Sequence, residues 1–348
     1  MKKIAFATGS RADYGIMRRY LRKLDDDESV SLEILVTGAL LDNDYGHQVD
    51  LIYRDGFKVG AEIEVHLDTS DNIGIIHTMS ETLDDFGHFF GKNKYDLLII
   101  LGDRYEMLSV ATAAAMQRIP ILHIHGGEAT YGNYDEFIRH CITKMSLYHF
   151  TATQEYRRRV IQLGENPDRV FCLGALGAEN CMYIEEANVP EQIKNLPERK
   201  YFTVLFHPET LTKTSPLEQV NMLLAAIDGC KYYENLHTDA YHYLLRNSIC
   251  LIGNSSSGII EAPSLGVYTI NIGDRQKGRV RGNSVIDVRC DVTEISAALD
   301  KVLLSYKEIV PVNPYYIPDS ANMYYKTTIE LLGRIESDTN NPKEFYNM

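Results

Sequence analysis

The sequence predicts an α/β protein made of two Rossmann-like domains that face each other across a cleft. Short apolar runs of strand length alternate with amphipathic helical stretches along most of the chain, as doubly wound parallel sheets require. That series halts at a charged, proline-containing stretch, EEANVPEQIKNLPERK (185–200), and then resumes. A length of 348 residues also exceeds what one small core organises, so two domains are expected.

In the first half the expected strands are IAFAT (4–8), LEILVTG (32–38), DLLIILG (96–102), IPILHIHGG (119–127) and VFCLG (170–174). Each is a continuous apolar run, which fits a strand covered on both faces. Between them YGIMRRYLRKL (14–24), TMSETLDDFGHFFG (78–91) and YEMLSVATAAAM (105–116) carry the 3.6-residue apolar period of helices. The second half repeats the pattern with YFTVLFH (201–207), SICLIG (248–253) and VYTINIG (267–273). The expected division is residues 1–180 and 181–327, with a C-terminal helix over 328–348 packing back on the first domain. One repeat is missing: between Gly229 and YHYLLRNS (241–248) there is only CKYYENLHTDA, where a doubly wound half needs a further strand and helix.

Composition narrows the function classes. A net charge of −13 disfavours long phosphate tracks, so neither nucleic acid nor a membrane surface is an expected partner. Six cysteines lie scattered with no CxxC pair, mostly inside apolar runs, and read as reduced thiols. The apolar part of MKKIAFATGS is too short for a signal sequence, and no run approaches a membrane span, so a cytoplasmic protein is expected.

In doubly wound sheets ligands sit outside the carboxyl ends of the strands. The first such end, ATGSRADYG (7–15), is not GxGxxG, and no acidic residue closes the next strand in the dinucleotide manner. Arg11 at a helix start is instead placed to hold phosphate, or is a solvated turn residue. LGDRYE (101–106) puts Asp103 and Arg104 where a strand gives way to a helix; on this motif alone Asp103 reads as a helix cap. HIHGGEATYGNYDE (123–136) offers two histidines, a Gly-Gly turn, Glu128 and Asp135. Alternation puts His123 and His125 on one face only if the strand continues, and no third ligand stands at metal-site spacing, so no metal is expected. LFHPET ends a strand at His207. GNSSSGIIEAPSLG (253–266) places Ser255, Ser256, Ser257 and Gly258 at a helix start ahead of Glu261, the composition of a pyrophosphate seat. Finally NIGDRQKGRVRG (271–282) carries Arg275, Lys277, Arg279 and Arg281, a basic loop that stands out in an acidic chain. Together these predict a diphosphate-linked ligand whose phosphates meet the second domain and whose reacting end meets carboxylates of the first.

GSRADYG, LGDRYE, HIHGGEATYGNYDEFIRH, FHPET, GNSSSGIIEAPSLG and NIGDRQKGR, in this order, resemble the bacterial hydrolysing UDP-N-acetylglucosamine 2-epimerases of sialic acid synthesis. A sub-branch acting on UDP-2,4-diacetamido-2,4,6-trideoxyglucose for legionaminic acid shares these motifs. The resemblance implies a glycosyltransferase-B-like fold, a UDP-sugar substrate, UDP as a product, no cofactor, and a homo-oligomer. It implies acid–base roles for Asp103, Glu128 and Asp135; where one branch has a glutamate this chain has His125, leaving the role open between His125 and Glu128. It implies UDP contacts for Arg11, Arg104, His207, Ser255, Ser256, Glu261 and Arg275. It also implies about thirty further residues between FHPET and GNSSSG, an extra βα unit that this chain lacks. A UDP-sugar glycosyltransferase of the same fold is the rival reading.

Overall fold

The computed structural model describes residues 1–131, 135–207, 214–227, 229–233, 236–308, 310–340 and 343–347, the Asp135 side chain excepted. The chain divides into two compact units: residues 1–128, 134–176 and 319–348, and residues 129–133 with 177–318.

The first unit runs β1 (Lys2–Thr8), α1 (Arg11–Asp25), β2 (Val30–Thr37), α2 (Asp50–Arg54), β3 (Val59–Ile63), α3 (Asn72–Lys92), β4 (Leu97–Leu101) and α4 (Tyr105–Met116). It continues with β5 (Ile121–Ile124), α5 (Asp135–Met145), β6 (Tyr148–Thr151), α6 (Gln154–Gln162), β7 (Val170–Cys172) and α7 (Leu176–Asn180), whose last residues enter the second unit. All seven strands pair in parallel in the order β3-β2-β1-β4-β5-β6-β7. The chain reverses direction across the sheet between β1 and β4, the switch point where doubly wound folds bind ligands. Alternation along β1 sends Ile4 and Phe6 into one core layer and Ala5 and Ala7 into the other. Phe86, Phe90, Met107 and Val110 of α3 and α4 fill the second layer.

The second unit contains α8 (Glu191–Lys194), β8 (Thr203–Leu205), α9 (Pro216–Ala225), α10 (Thr238–Arg246), β9 (Cys250–Gly253), α11 (Ser257–Ile260), β10 (Tyr268–Ile272), β11 (Val285–Val288) and α12 (Val292–Ser305). Its sheet is parallel, with order β11-β10-β9-β8. Strand order here runs one way only. The returning half of a doubly wound sheet is not found among the described residues, and β8 forms the sheet's edge.

The last helix, α13 (Ser320–Asn340), belongs to the first unit, where Tyr324 packs edge-on against Tyr20 and Tyr325 donates to Asp27. It begins at Ser320 and ends at Asn340, whereas residues 328–348 were expected to be helical. The unit boundary likewise falls at Leu176 rather than 180. Strands β3, β6 and β11 go unannounced in the sequence because they are short and their apolar pattern is weak: β3 reads VGAEI and β6 reads YHFT. Beyond α13, Lys343 reaches back to the carbonyls of Lys144 and Ser146, both at 2.7 Å, and to Glu165 at 2.7 Å.

Candidate active site

The carboxyl ends of β1, β4 and β5 converge at the switch point of the first unit. Strand β4 ends at Leu101, and Asp103 follows two residues on, ahead of α4. Its carboxylate Oδ2 meets the guanidinium of Arg139, which reaches across from α5. Arg139 is 2% exposed, and its Nη1 donates to the Glu128 carbonyl at 2.8 Å. One buried cation thus ties the ends of β4 and β5 together, and Asp103 is a fixed carboxylate rather than a helix cap, since Arg104 occupies the cap position of α4.

Strand β5 stops at Ile124, and His125 takes a left-handed backbone conformation with φ of +67°. For a non-glycine residue this costs on the order of 1–3 kcal/mol and persists only where the surroundings enforce it. The consequence is a change of face. His125 Nδ1 meets Glu128 Oε1 at 3.0 Å, and its Nε2 is buried without a hydrogen-bond partner among the described residues. Glu128 is 1% exposed. The turn between them needs glycine at 127, where φ is +79° and a Cβ would lie 2.5 Å from the Tyr156 carbonyl.

His123 goes the other way. Its Nε2 lies 2.8 Å from the Gly102 carbonyl and its Nδ1 lies 3.0 Å from the Thr143 hydroxyl. Burial, partly opposed by the Gly102 bond, pushes its pKa down to about 3, so the ring is neutral and structural. The two histidines therefore do not act as a pair.

Arg104 lies beside Glu106, which is fully buried, and beside Asp13. Burial alone would lower the arginine pKa, but these two carboxylates raise it overall. Burial raises the pKa of Asp13, with Arg104 opposing. Arg11 is the first residue of α1, after Ser10, whose hydroxyl accepts from the Asp13 N–H at 3.2 Å. Glu106 is thus a neighbour of the cluster that motif reading passed over; its signal is a carboxylate inside the apolar run of α4. Asp13 stands near Arg11 in the sequence, and Arg139 lies one turn beyond Asp135 on the same helix face, but motif reading assigns neither a role.

The second unit assembles a separate cluster at the ends of β8, β9 and β10. The His207 N–H donates to Asn254 Oδ1, and Asn254 Nδ2 donates back to the His207 carbonyl, both at 2.8 Å. Arg275 Nη1 and Gln276 Nε2 both donate to the Asn254 carbonyl, at 3.0 and 2.9 Å. Partial burial and the adjacent Arg275 hold the His207 pKa below its ordinary value. The Ser255 and Ser257 hydroxyls are 3.2 Å apart, and Ser257 also meets the Tyr241 hydroxyl at 2.6 Å. Glu261 is anchored by His242 Nε2 at 3.2 Å.

Three expectations change here. The helix opened by Ser256 and Ser257 is only four residues long before it gives way to a 3-10 turn at Ala262–Leu265, so its dipole is small. A macrodipole therefore adds little at this strand end. Gly258 serves packing, since a Cβ there would come within 2.6 Å of Thr269 Cγ2 on β10. The basic loop is partly neutralised: Lys277 pairs with Asp274 at 3.4 Å and Arg281 with Asp287 at 2.7 Å. Arg279 sits in the same loop, its backbone carbonyl taken by Arg281 Nη1 at 2.6 Å. The Asp135 side chain lies outside the described residues.

Comparison with known proteins places these clusters in context. The sequence profile described as UDP-N-acetylglucosamine 2-epimerase matches residues 22–232 and 218–327. Polysialic acid biosynthesis protein P7 of Escherichia coli is 42% identical over 387 positions, covering 100% of this chain and 98% of that protein. The GDP/UDP-N,N'-diacetylbacillosamine 2-epimerase (hydrolyzing) of Campylobacter jejuni is 31% identical, covering 86% and 87%. Among solved structures, the Neisseria meningitidis UDP-GlcNAc 2-epimerase bound to UDP-GlcNAc superposes with a TM-score of 0.77 at 16% identity, covering 94% of this chain and 100% of that one. The fold is glycosyltransferase-B-like. The 387 aligned positions exceed the 348 residues of this chain by 39, and the two profile matches overlap at 218–232. The profile match thus divides close to residue 230, where the sequence lacks the expected βα repeat.

Proposed function

Because the chain belongs to the UDP-N-acetylglucosamine 2-epimerase family, we propose that it is a hydrolysing member, converting UDP-N-acetylglucosamine and water to N-acetylmannosamine and UDP for sialic acid synthesis. The observation that carries this reading is the constellation at the ends of β4 and β5: Asp103 fixed by Arg139, beside a strained His125 oriented by Glu128. The sugar C2–H becomes acidic only as the C1–O bond breaks, so elimination demands a base at C2 in concert with UDP departure. We assign His125 as the base, with its buried Nε2 taking the C2 proton, and Glu128, whose Oε1 lies 3.0 Å from Nδ1, as the residue that positions it. The C1–O electrons leave with UDP, giving a 2-acetamidoglucal. Water then adds its oxygen to C1 and a proton is returned to the opposite face of C2, with Asp103 and Asp135 as the acid–base groups. We assign contacts with the diphosphate and nucleoside to His207, Ser255, Ser256, Ser257, Glu261, Arg275, Lys277 and Arg279 within the second unit, and UDP contacts to Arg11 and Arg104 within the first.

The test is turnover of UDP-N-acetylglucosamine in D2O with the sugar product analysed by NMR. Free N-acetylmannosamine carrying deuterium at C2 is expected; product without C2 deuterium, or release of UDP-N-acetylmannosamine, sinks the hydrolysing mechanism. The Campylobacter relative's name supports a second reading, a diacetamido-trideoxyhexose substrate. Comparing kcat/KM on the two UDP-sugars decides between them.

A further inference from the structure

Helix α4 carries a carboxylate on a packing surface that is mostly apolar. Met107, Val110, Ala111 and Ala114 belong to the core, yet Glu106, in the first turn of the same helix, is 0% exposed. A buried carboxylate is costly unless it is paired, so its surroundings have to accommodate it. Glycines stand one residue past the ends of β1 and β2, and both leave room for this side chain. A Cβ at Gly9 would come within 2.8 Å of Glu106 Oε1, and one at Gly38 would lie 3.5 Å from the same oxygen. Oε1 meets Nε of Arg104, while Oε2 is buried without a hydrogen-bond partner among the described residues.

Among the described residues Glu106 is the only hydrogen-bond partner of the Arg104 side chain. Because it engages Nε, both Nη nitrogens of this side chain, 37% exposed, are left over. That pair is the fork which grips phosphate oxygens two at a time. A second carboxylate, Asp13 in the first turn of α1, also attracts the guanidinium. We propose that Glu106 is a positioning residue, holding Arg104 by Nε against the pull of Asp13 so that both Nη nitrogens stay available to a nucleotide phosphate. The proposal rests on the reading of Arg104 as a UDP contact. Burial raises the Asp13 pKa, Arg104 lowers it, and Glu106 adds a smaller raise. Neutralising Glu106 thus makes Asp13 a stronger competitor for the guanidinium.

The sign of the effect on UDP binding tests this, read by isothermal titration calorimetry on the full chain. A buried carboxylate with no positioning duty only repels the diphosphate, so Glu106→Gln would then tighten UDP binding. Positioning gives the opposite sign. Glu106→Gln should weaken UDP binding by roughly tenfold, the loss expected for a hydrogen bond to a charged group. That loss should vanish when Arg104→Gln is already present, because both substitutions act on one contact. A merely structural role predicts equal losses in the two backgrounds. Circular dichroism checks the fold; should Glu106→Gln not fold, Gly9→Ala displaces the same carboxylate with its charge kept and is read in the same two backgrounds. Tighter or unchanged UDP binding, or a loss that persists beside Arg104→Gln, overturns the proposal. If Arg104→Gln alone binds UDP as the native protein does, the reading of Arg104 as a UDP contact fails, and the proposal with it.

Discussion

His125 concentrates the residue-scale physics of this protein. Its left-handed backbone turns the side chain away from the structural side of β5, where His123 is spent on Gly102 and Thr143, toward Glu128. Strain at such a position is stored for function and is released by glycine, which adopts positive φ freely. His125→Gly should therefore melt at or above the temperature of the native protein while turnover falls roughly 10²–10⁴-fold, the usual contribution of a general base. Differential scanning calorimetry alongside an assay of UDP release checks both halves. Retained turnover would remove His125 from the chemistry, and a large loss of stability would remove the strain argument. Arg139 shows what local reading leaves open: helical spacing sets it near Asp135, but its contact with Asp103 depends on α5 reaching the end of β4.

At the scale of elements, β4, β5 and α5 are locked together by His123, and the lock responds to pH. In the folded protein burial holds the His123 pKa near about 3, whereas an unfolded histidine titrates near 6.5. Above about pH 6.5 both states are neutral and the group has no pH effect. Below it the unfolded chain takes up a proton that the folded chain refuses, so stability declines with falling pH, by about 1.4 kcal/mol per unit at most. The native protein's advantage over His123→Gln should thus shrink by about 2 kcal/mol between about pH 7.5 and about pH 5. Urea midpoints at the two pH values measure it; a constant difference would mean that His123 is not held neutral. The element α11 teaches the reverse lesson. Its serine-rich start reads as a helix N-terminus, yet Pro263 and the 3-10 turn curtail it after four residues.

For the whole molecule, the proposed reading gives the two units separable duties. Asp103 is paired with Arg139 in the first unit, and Arg275 joins the His207–Asn254 cluster of the second. Asp103→Asn should lower turnover roughly 10²–10⁴-fold and leave UDP affinity nearly intact. Arg275→Ala should weaken UDP binding by about tenfold or more, the loss expected for a hydrogen bond to a charged group. Isothermal titration calorimetry with UDP, run beside the activity assay, separates the two effects. Equal loss of binding in Asp103→Asn would make that residue structural, and unchanged affinity in Arg275→Ala would take it out of the seat. Among the described residues the sheet of the second unit ends at β8, and the alignment with the Escherichia coli protein spans 39 more positions than this chain has residues.

By itself the sequence determined the α/β class, the strand-end addresses of Asp103, Glu128, His207 and Glu261, and the missing repeat near residue 230. These are legible because apolar periodicity and turn chemistry are local properties of the chain. Only the tertiary structure decided that His123 and His125 part company, that Arg139 clamps Asp103, that Glu106 and Asp13 flank Arg104, and that Gly258 serves packing. Each depends on which distant element arrives beside a strand end, and burial there sets which groups are ionised, a property no single stretch of sequence contains.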